Sequence, residues 1–259
     1  ISRRISSVPV ESVTDLNTCS TATIWERGAS GRGSGVESVI ERAVFLNRRH
    51  FIRSGLFAVL GAGVTHMAGA AGAPTVLVVG DSLSAEYGIA RGTGWVALLQ
   101  KKLAAEKIVA QVVNASVSGD TTAGGRARLP ALLKTHQPAV VVIELGSNDA
   151  LRGLSLDMTE ANLIAMTQAA QAAGAKVLLV GMQVPPNYGA DYGQRFRALF
   201  AQVAKAQRAA LVPFLLQGVA DRANPVELFQ KDRIHPLAEA HPIILGNVWP
   251  ELQKLLKTK

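Results

Sequence analysis

Cysteine is nearly absent from this sequence: the 259-residue chain has one, Cys19, and no CxxC pair. Cys19 lies in a stretch without any core-forming pattern, so neither a disulfide framework nor thiol catalysis is expected in the folded part. HExxH and EF-hand patterns are also missing, and the five histidines show no metal-ligand spacing. We therefore expect no metal and no cofactor.

Aromatic residues and long runs of one charge are scarce too. Charged residues make up 18% of the chain and aromatic residues 5%, and the net charge of +8 is not gathered into a basic run. A nucleic-acid partner is therefore not expected, whereas the mild basic excess fits a solvated surface or an approach to anionic headgroups or acyl carriers. Hydrophobic residues make up 48%, enough for one globular domain plus a tail, which excludes disorder throughout.

The N-terminal third contains an export signal rather than a fold. Residues 1–43 are rich in Ser, Gly, Thr and Arg without hydrophobic periodicity, so we interpret them as an upstream or non-native extension. The segment Asn47-Arg48-Arg49-His50-Phe51-Ile52-Arg53 is typical of a twin-arginine signal, and an apolar stretch and small residues follow it. About 15 to 18 moderately apolar residues are too few for a stable membrane span. We predict a signal peptide over residues 44–73 and a periplasmic or secreted protein.

From Thr75 onward, short β-branched runs alternate with longer amphipathic segments. Near-continuous apolar runs are typical of buried parallel strands. The predicted strands are 75–79, 110–114, 139–145, 176–182 and 211–214, and the predicted helices are about 94–106, 124–135, 157–173, 191–209 and 238–256. The pattern predicts a three-layer α/β/α domain over residues 74–259, with a five-stranded, mostly parallel sheet of flavodoxin-like order.

Polar turns follow the first three predicted strands and precede the last helix. They are Gly80-Asp81-Ser82-Leu83-Ser84, residues 115–121, Gly146-Ser147-Asn148-Asp149 and Asp232-Arg233-Ile234-His235-Pro236. Ligands of open α/β sheets bind at the carboxyl ends of the strands, so we expect these turns to converge on one edge. Together they supply a hydroxyl, an imidazole, a carboxylate and hydrogen-bond donors.

Ser82, His235 and Asp232 can act as a nucleophile, its base and the acid that orients the base. A serine hydroxyl needs a base within hydrogen-bond reach, and the base needs a partner that fixes its tautomer. Asp232 lies three residues before His235, close enough to accept from Nδ1 while Nε2 faces the serine. The backbone amides of Ser82 and Gly119 and the side-chain amide of Asn148 can form an oxyanion hole, since glycine at 119 allows a close approach.

At these residues the chain resembles the SGNH (GDSL) hydrolases, and within them the bacterial acyl-CoA thioesterase, lysophospholipase and arylesterase group. The four blocks of the family appear in order, as GDSLSAEYG from Gly80, NASVSGDTT from Asn114, ELGSNDALRGL from Glu144 and DRIHP from Asp232. VPPNYGADYG from Val184 and NVWPEL from Asn247 extend the resemblance, which runs from about Thr75 to Leu256.

The resemblance implies a serine esterase that hydrolyses aryl esters, short to medium acyl esters, lysophospholipids or acyl-CoA through an acyl-enzyme. It implies the catalytic and oxyanion roles given above and a mobile substrate loop over residues 150–154. The substrate-binding residues that we predict are Ser147, Leu151, Leu154, Met182, Val184 and Pro185. We expect a monomer acting on a small acyl ester, with a lysophospholipid or a membrane surface as a further partner.

Two residues depart from the pattern of this group. Ser147 stands where a glycine usually precedes the asparagine, and Glu86 stands where a glycine is common. We expect Ser147 to narrow the site and Glu86 to add charge near its mouth.

Other readings of the same residues stay open. Asp81 and Asp149 could be phosphoacceptors of a receiver-type module, although Pro213 and Phe214 stand where such a module needs a lysine. An inactive SGNH domain that binds lipids or glycans, and a carbohydrate or peptidoglycan O-acetyl esterase, are further alternatives. His241 is a rival base, but no acid lies three residues before it, so we expect it on a helix surface.

Overall fold

The structure is a computed structural model that describes residues 72–257. The extension predicted for residues 1–43, Cys19 and nearly all of the signal peptide predicted for residues 44–73 lie outside the described residues. Both assignments therefore stay predictions.

Within residues 72–257 five strands form one sheet, and each is short and mostly apolar. They are β1 (Thr75–Gly80), β2 (Gln111–Asn114), β3 (Val140–Glu144), β4 (Lys176–Val180) and β5 (Ala210–Val212). Their order is β2-β1-β3-β4-β5, and every neighbouring pair is parallel. The central strands β1 and β3 are buried almost throughout, as parallel strands covered on both faces must be. The predicted flavodoxin-like sheet is confirmed.

The described residues contain six α-helices. They are α1 (Trp95–Ala105), α2 (Thr122–His136), α3 (Ser147–Leu151), α4 (Leu156–Ala172), α5 (Ala190–Gln207) and α6 (His241–Lys257). Helices α1 and α6 pack together on one face, and α2, α4 and α5 form a second layer on the other. The predicted three-layer α/β/α arrangement is therefore confirmed. Within residues 72–257 every helix is too short or too polar to cross a bilayer.

The elements differ from their predicted bounds in ways that have local causes. Strand β5 ends at Val212 because Pro213 has no backbone N–H to donate to the sheet. The short helix α3 was not predicted, because five residues are too few to show a helical period. It includes Ala150 and Leu151, which the resemblance had assigned to a loop.

The sequence predicts His241 on a helix surface, and this prediction is wrong. The residue is buried at the start of α6. Its Nδ1 accepts a hydrogen bond from the backbone amide of Trp95 over 3.0 Å, at the first residue of α1. The amide groups of the first helical turn need such acceptors, and Gly94 offers no side chain to cap them. Burial lowers the pKa of His241, and the charge of nearby Glu86 opposes this only in part. The neutral ring thus joins α6 to the start of α1.

Replacing His241 by Asn should remove one pH-dependent component of stability. The Asn Oδ1 can take the place of Nδ1 as acceptor for Trp95, but an amide does not titrate. Because the pKa of His241 is lowered in the folded state, below about pH 6.5 the unfolded chain binds a proton first and the wild type loses stability. The variant should lack this loss.

Urea unfolding of both proteins, between about pH 8 and about pH 5, measures the difference. The buried carboxyls are present in both proteins, so their titration cancels when the two curves are subtracted. Parallel curves for the two proteins would show that His241 does not titrate on unfolding.

Candidate active site

Ser82 lies in a tight turn directly after β1. The Asp81 carbonyl accepts hydrogen bonds from the amides of Ser84 and Ala85 over 3.2 and 3.0 Å, and the Asp81 carboxylate accepts from the Leu83 amide over 3.0 Å. A Cβ on Gly80 would lie 2.7 Å from Glu144 Oε2, so only glycine lets the turn pass this close to the end of β3. The turn leaves Ser82 half-buried at the carboxyl edge of the sheet.

His235 reaches this serine from a segment 153 residues away in sequence. Its Nε2 lies 2.8 Å from Ser82 Oγ, and its Nδ1 lies 2.6 Å from Asp232 Oδ2. The ring of Tyr87 packs against the imidazole, with 4.3 Å between the ring centroids. The three residues that the sequence analysis selected therefore form one continuous chain of hydrogen bonds.

Asp232 is held by the turn in which it lies. Its Oδ1 accepts hydrogen bonds from the backbone amides of Ile234 and His235, each over 3.0 Å. Desolvation raises the pKa of Asp232, but the hydrogen bonds from the His235 ring and these two amides outweigh it and lower the pKa to about 2. The ionised carboxylate is thus fixed to accept from Nδ1, which leaves Nε2 free to accept from Ser82.

Asn148 lies at the start of α3, directly after β3, and Gly119 lies in the turn after β2. Strands β2 and β3 are the two neighbours of β1 in the sheet. Asn148 Nδ2 donates to Asp81 Oδ2 over 3.0 Å, which orients the amide and leaves its second N–H available. Gly119 follows β2 with a φ of +79°, and the Val117 amide of the same turn donates to the Gly80 carbonyl over 3.0 Å. Among the described residues, the backbone amides of Ser82 and Gly119 have no acceptor. Free donors of this kind can stabilise an oxyanion.

Two buried carboxyls lie behind Ser82. Asp81 and Glu144 are both fully buried, and Glu144 Oε2 accepts from Ser84 Oγ over 2.7 Å and from the Asp81 amide over 3.3 Å. Burial raises the pKa of Asp81 to about 6, against the hydrogen bonds from Leu83 and Asn148. Burial and then the charge of Asp81 raise the pKa of Glu144 well above its usual range. Such a pair favours one negative charge over two.

The sequence did not predict this layer of buried polar groups. Trp95 Nε1 donates to Ser84 Oγ over 3.1 Å, so the indole, the Ser84 hydroxyl and the Glu144 carboxyl form a chain below the nucleophile turn. The only sequence signal was an acidic residue closing an otherwise apolar strand. A buried charge at such a place indicates a partner, but it does not tell which one.

The strand-end aspartates are not available as phosphoacceptors. Asp149 is buried and accepts from the Thr122 amide over 2.8 Å, from the Thr122 hydroxyl and from the Thr159 hydroxyl over 3.3 Å. Asp81 is buried and bonded to Leu83 and Asn148. Both carboxylates therefore hold the turns together, which argues against the receiver-type reading.

The predicted substrate residues divide by exposure. Met182 is buried, Val184 and Ser147 are half-buried, and Leu151, Leu154 and Pro185 are exposed. The Ser147 hydroxyl is buried and has no hydrogen-bond partner among residues 72–257.

A cavity of about 310 Å³ lies beside α5, and of the predicted substrate residues only Val184 lines it. Its other lining residues are Gln183, Ala190, Gly193, Gln194 and Arg197.

Glu86, which the sequence predicts to add charge near the mouth of the site, uses its carboxylate in local hydrogen bonds. Its Oε1 accepts from the amides of Gly92 and Gly94 over 2.9 and 2.8 Å, so the carboxylate is bound to the segment that leads into α1.

In the part of the chain that the structure describes, no three His, Cys, Asp or Glu side chains are placed to hold a metal ion.

Known proteins share both the sequence and the fold. The profile of the GDSL-like Lipase/Acylhydrolase family matches residues 78–243. Esterase TesA of Pseudomonas aeruginosa is 54% identical over 186 residues, 72% of this chain and 91% of TesA. Thioesterase 1/protease 1/lysophospholipase L1 of Escherichia coli is 43% identical over 187 residues, 72% of this chain and 87% of that relative.

A crystal structure of TesA matches this structure with a TM-score of 0.67 at 54% identity, covering 70% of this chain and 99% of the chain in that crystal structure. Residues 78–243, which the family profile matches, include Ser82, Gly119, Asn148 and the Asp232–His235 turn. The protein belongs to the GDSL-like Lipase/Acylhydrolase family.

Proposed function

We propose that this family member is a serine esterase that hydrolyses carboxylic esters and thioesters through an acyl-enzyme. The observation that carries the proposal is the chain of hydrogen-bond distances from Ser82 Oγ to His235 Nε2, 2.8 Å, and from His235 Nδ1 to Asp232 Oδ2, 2.6 Å. Ser82 is the nucleophile, His235 the general base, and Asp232 the group that keeps the imidazole in the productive tautomer.

In the first half of the reaction, His235 Nε2 accepts the Ser82 hydroxyl proton as Oγ attacks the carbonyl carbon. The carbonyl oxygen becomes an oxyanion, which the free amides of Ser82 and Gly119 and the second Asn148 N–H stabilise. When the intermediate collapses, His235 gives its proton to the leaving alcohol or thiol, and the acyl group stays on Ser82. Water then repeats these steps, releases the acid and restores the serine.

The proposed substrates are aryl esters, short to medium acyl esters, lysophospholipids and acyl-CoA thioesters. Leu154 and the half-buried Val184 offer apolar surface, which suits an alkyl or aryl acyl group. The names of the two relatives, esterase and thioesterase 1/protease 1/lysophospholipase L1, support the same range. Acetylated carbohydrates are the competing substrates.

We further propose that the enzyme is exported and works as a monomer, on soluble esters and at lipid surfaces. Export is supported by the twin-arginine pattern around Arg48 and Arg49. Action at lipid surfaces is supported by large apolar side chains that are exposed in the segments after β1, β2 and β3 and in the Asp232–His235 turn, namely Tyr87, Val117, Leu151, Leu154 and Ile234.

Ester hydrolysis is tested with p-nitrophenyl esters of increasing acyl length, an acyl-CoA, a lysophospholipid and an acetylated sugar. Wild-type protein should turn over the aryl and acyl esters. Ser82→Ala should abolish turnover while still binding them, because only the nucleophile is removed. Preference for the acetylated sugar would favour the carbohydrate esterase, and a wild type that binds esters without hydrolysing any would favour an inactive binding domain.

Asn148→Ala tests the oxyanion hole. Because the charge on the substrate oxygen develops in the transition state, loss of one donor should lower kcat by about 10² to 10³ with little change in KM. Steady-state kinetics on the best ester measures both constants. Asn247→Ala is the matched control, since its amide donates to the Leu215 and Gln217 carbonyls instead. Near-normal kcat for Asn148→Ala would contradict the assigned role.

Export is tested by changing both Arg48 and Arg49 to Lys in the full chain. The precursor should then accumulate in the cytoplasm, because the twin-arginine route requires the pair. Cell fractionation and immunoblotting follow it. The sequence offers a control in Arg3 and Arg4, a second arginine pair without a following apolar segment, whose change to Lys should leave export intact. Unchanged export of the Arg48/Arg49 variant would point to the general secretory route.

A further inference from the structure

Gln230 joins the two segments that supply the reacting groups. Its side-chain Nε2 donates to the Tyr87 carbonyl over 2.8 Å, across 143 residues of sequence. Tyr87 belongs to the serine turn, because its own amide donates to the Ser82 carbonyl over 3.4 Å. One atom of Gln230 thus holds the segment that begins at Ser82.

The same residue also closes the turn that carries Asp232 and His235. The Gln230 amide donates to the His235 carbonyl over 2.8 Å, and the Arg233 amide donates to the Gln230 carbonyl over 2.9 Å. The side-chain Nε2 gives a second hydrogen bond, to the Pro236 carbonyl over 3.1 Å. Both protons of the side-chain NH₂ group are therefore used, one on each segment.

These bonds complete a closed circuit of four residues. It runs from Ser82 to Tyr87, from Tyr87 to Gln230, from Gln230 to His235 and back to Ser82 through the 2.8 Å contact of Nε2 with Oγ. Gly88 has a φ of +71°, and a Cβ there would lie 2.1 Å from Gln230 Oε1, so the glycine makes room for the amide.

The bonds on the two sides of His235 differ in range. The contact with Asp232 is made inside one turn and needs no other segment. The contact with Ser82 depends on where the whole turn docks. A small displacement of the turn would leave the first contact intact and lengthen the second.

We propose that Gln230 is a positioning residue, whose side-chain amide docks the Asp232–His235 turn on the serine turn and so sets the distance from His235 Nε2 to Ser82 Oγ. This rests on the proposed function, since the distance matters only if His235 takes the proton of Ser82. Gln230 itself does not touch the reacting atoms.

Gln230→Met and Gln230→Glu test the proposal on the full-length enzyme with a p-nitrophenyl ester. Met keeps the volume without a donor, and Glu keeps the shape but turns a carboxylate toward the two carbonyls. A misplaced base should lower kcat by about 10- to 100-fold in both variants with KM nearly unchanged. The low-field proton NMR signal of the His235–Asp232 hydrogen bond should persist.

Gln171→Met is the matched control. Like Gln230, Gln171 joins two segments through its side-chain amide: its Nε2, on α4, donates to the backbone carbonyl of Gln207, on α5, over 2.7 Å. It should keep wild-type kcat. Full kcat in both Gln230 variants, loss of the low-field signal, or unfolding of both variants would each overturn the positioning role. Ser82→Ala separates the two levels: if it abolishes turnover while the Gln230 variants stay fully active, the proposed function stands and this inference fails.

A second measurement separates positioning from a general loss of structure. In a His235→Ala background there is no base to position, so adding Gln230→Met should leave the residual turnover unchanged, within about a factor of two. A purely structural contribution would lower the turnover in both backgrounds by the same factor, and that result would contradict the proposal.

Discussion

The parallel pairing of β1 with β3 is the constraint on which the rest of the site depends. It sets Gly80 opposite Glu144, so β1 and β3 end side by side, and the residues that follow them place Ser82 and Asn148 at the same edge of the sheet. Because parallel strands end at one edge, a residue after each strand is enough to assemble a site from distant parts of the sequence. The hydrogen bond from Asn148 to Asp81 then joins the two turns directly. Ser82 and the candidate oxyanion donor Asn148 are therefore coupled through the buried central strands.

Burial of Asp81 and Glu144 at this junction has a cost, because carboxyls are expensive to remove from water. Their raised pKa values express that cost. Hydrogen bonds from Leu83, Asn148 and Ser84 offset part of it and, unlike apolar contacts, they are directional. An apolar replacement would fill the same space without fixing the angle at which the serine turn leaves β1. The polar layer thus lowers stability but defines the geometry of the serine turn. Trp95 extends this layer by linking α1 to Ser84.

Much of the fold was predictable, because local patterns decide it. Apolar runs predicted all five strands and polar turns predicted where Ser82, Asn148 and His235 lie, since both signals are contiguous in sequence. What the sequence could not show depends on contacts between distant segments. His241 is buried because α1 starts against it. Glu86 accepts from the amides of Gly92 and Gly94, and Glu144 accepts from Ser84, which lies beyond the end of β1. The helix α3 was not predicted for another reason, because its five residues are too few to show a helical period.

The same distinction between local and distant contacts applies to the two hydrogen-bond contacts of His235, one with Asp232 and one with Ser82. Asp232 and His235 are three residues apart, so a single turn with two backbone hydrogen bonds sets their geometry, and the sequence spacing already predicts it. Ser82 and His235 are 153 residues apart, so no local preference can set their distance. That contact needs the sheet to place the serine turn and the segment between β5 and α6 to bring His235 to it. It also needs a direct bridge between the two turns, because a base must lie within hydrogen-bond reach of its nucleophile and loops are the most variable parts of a fold. The accuracy of the site therefore depends most on residues that take no part in the chemistry.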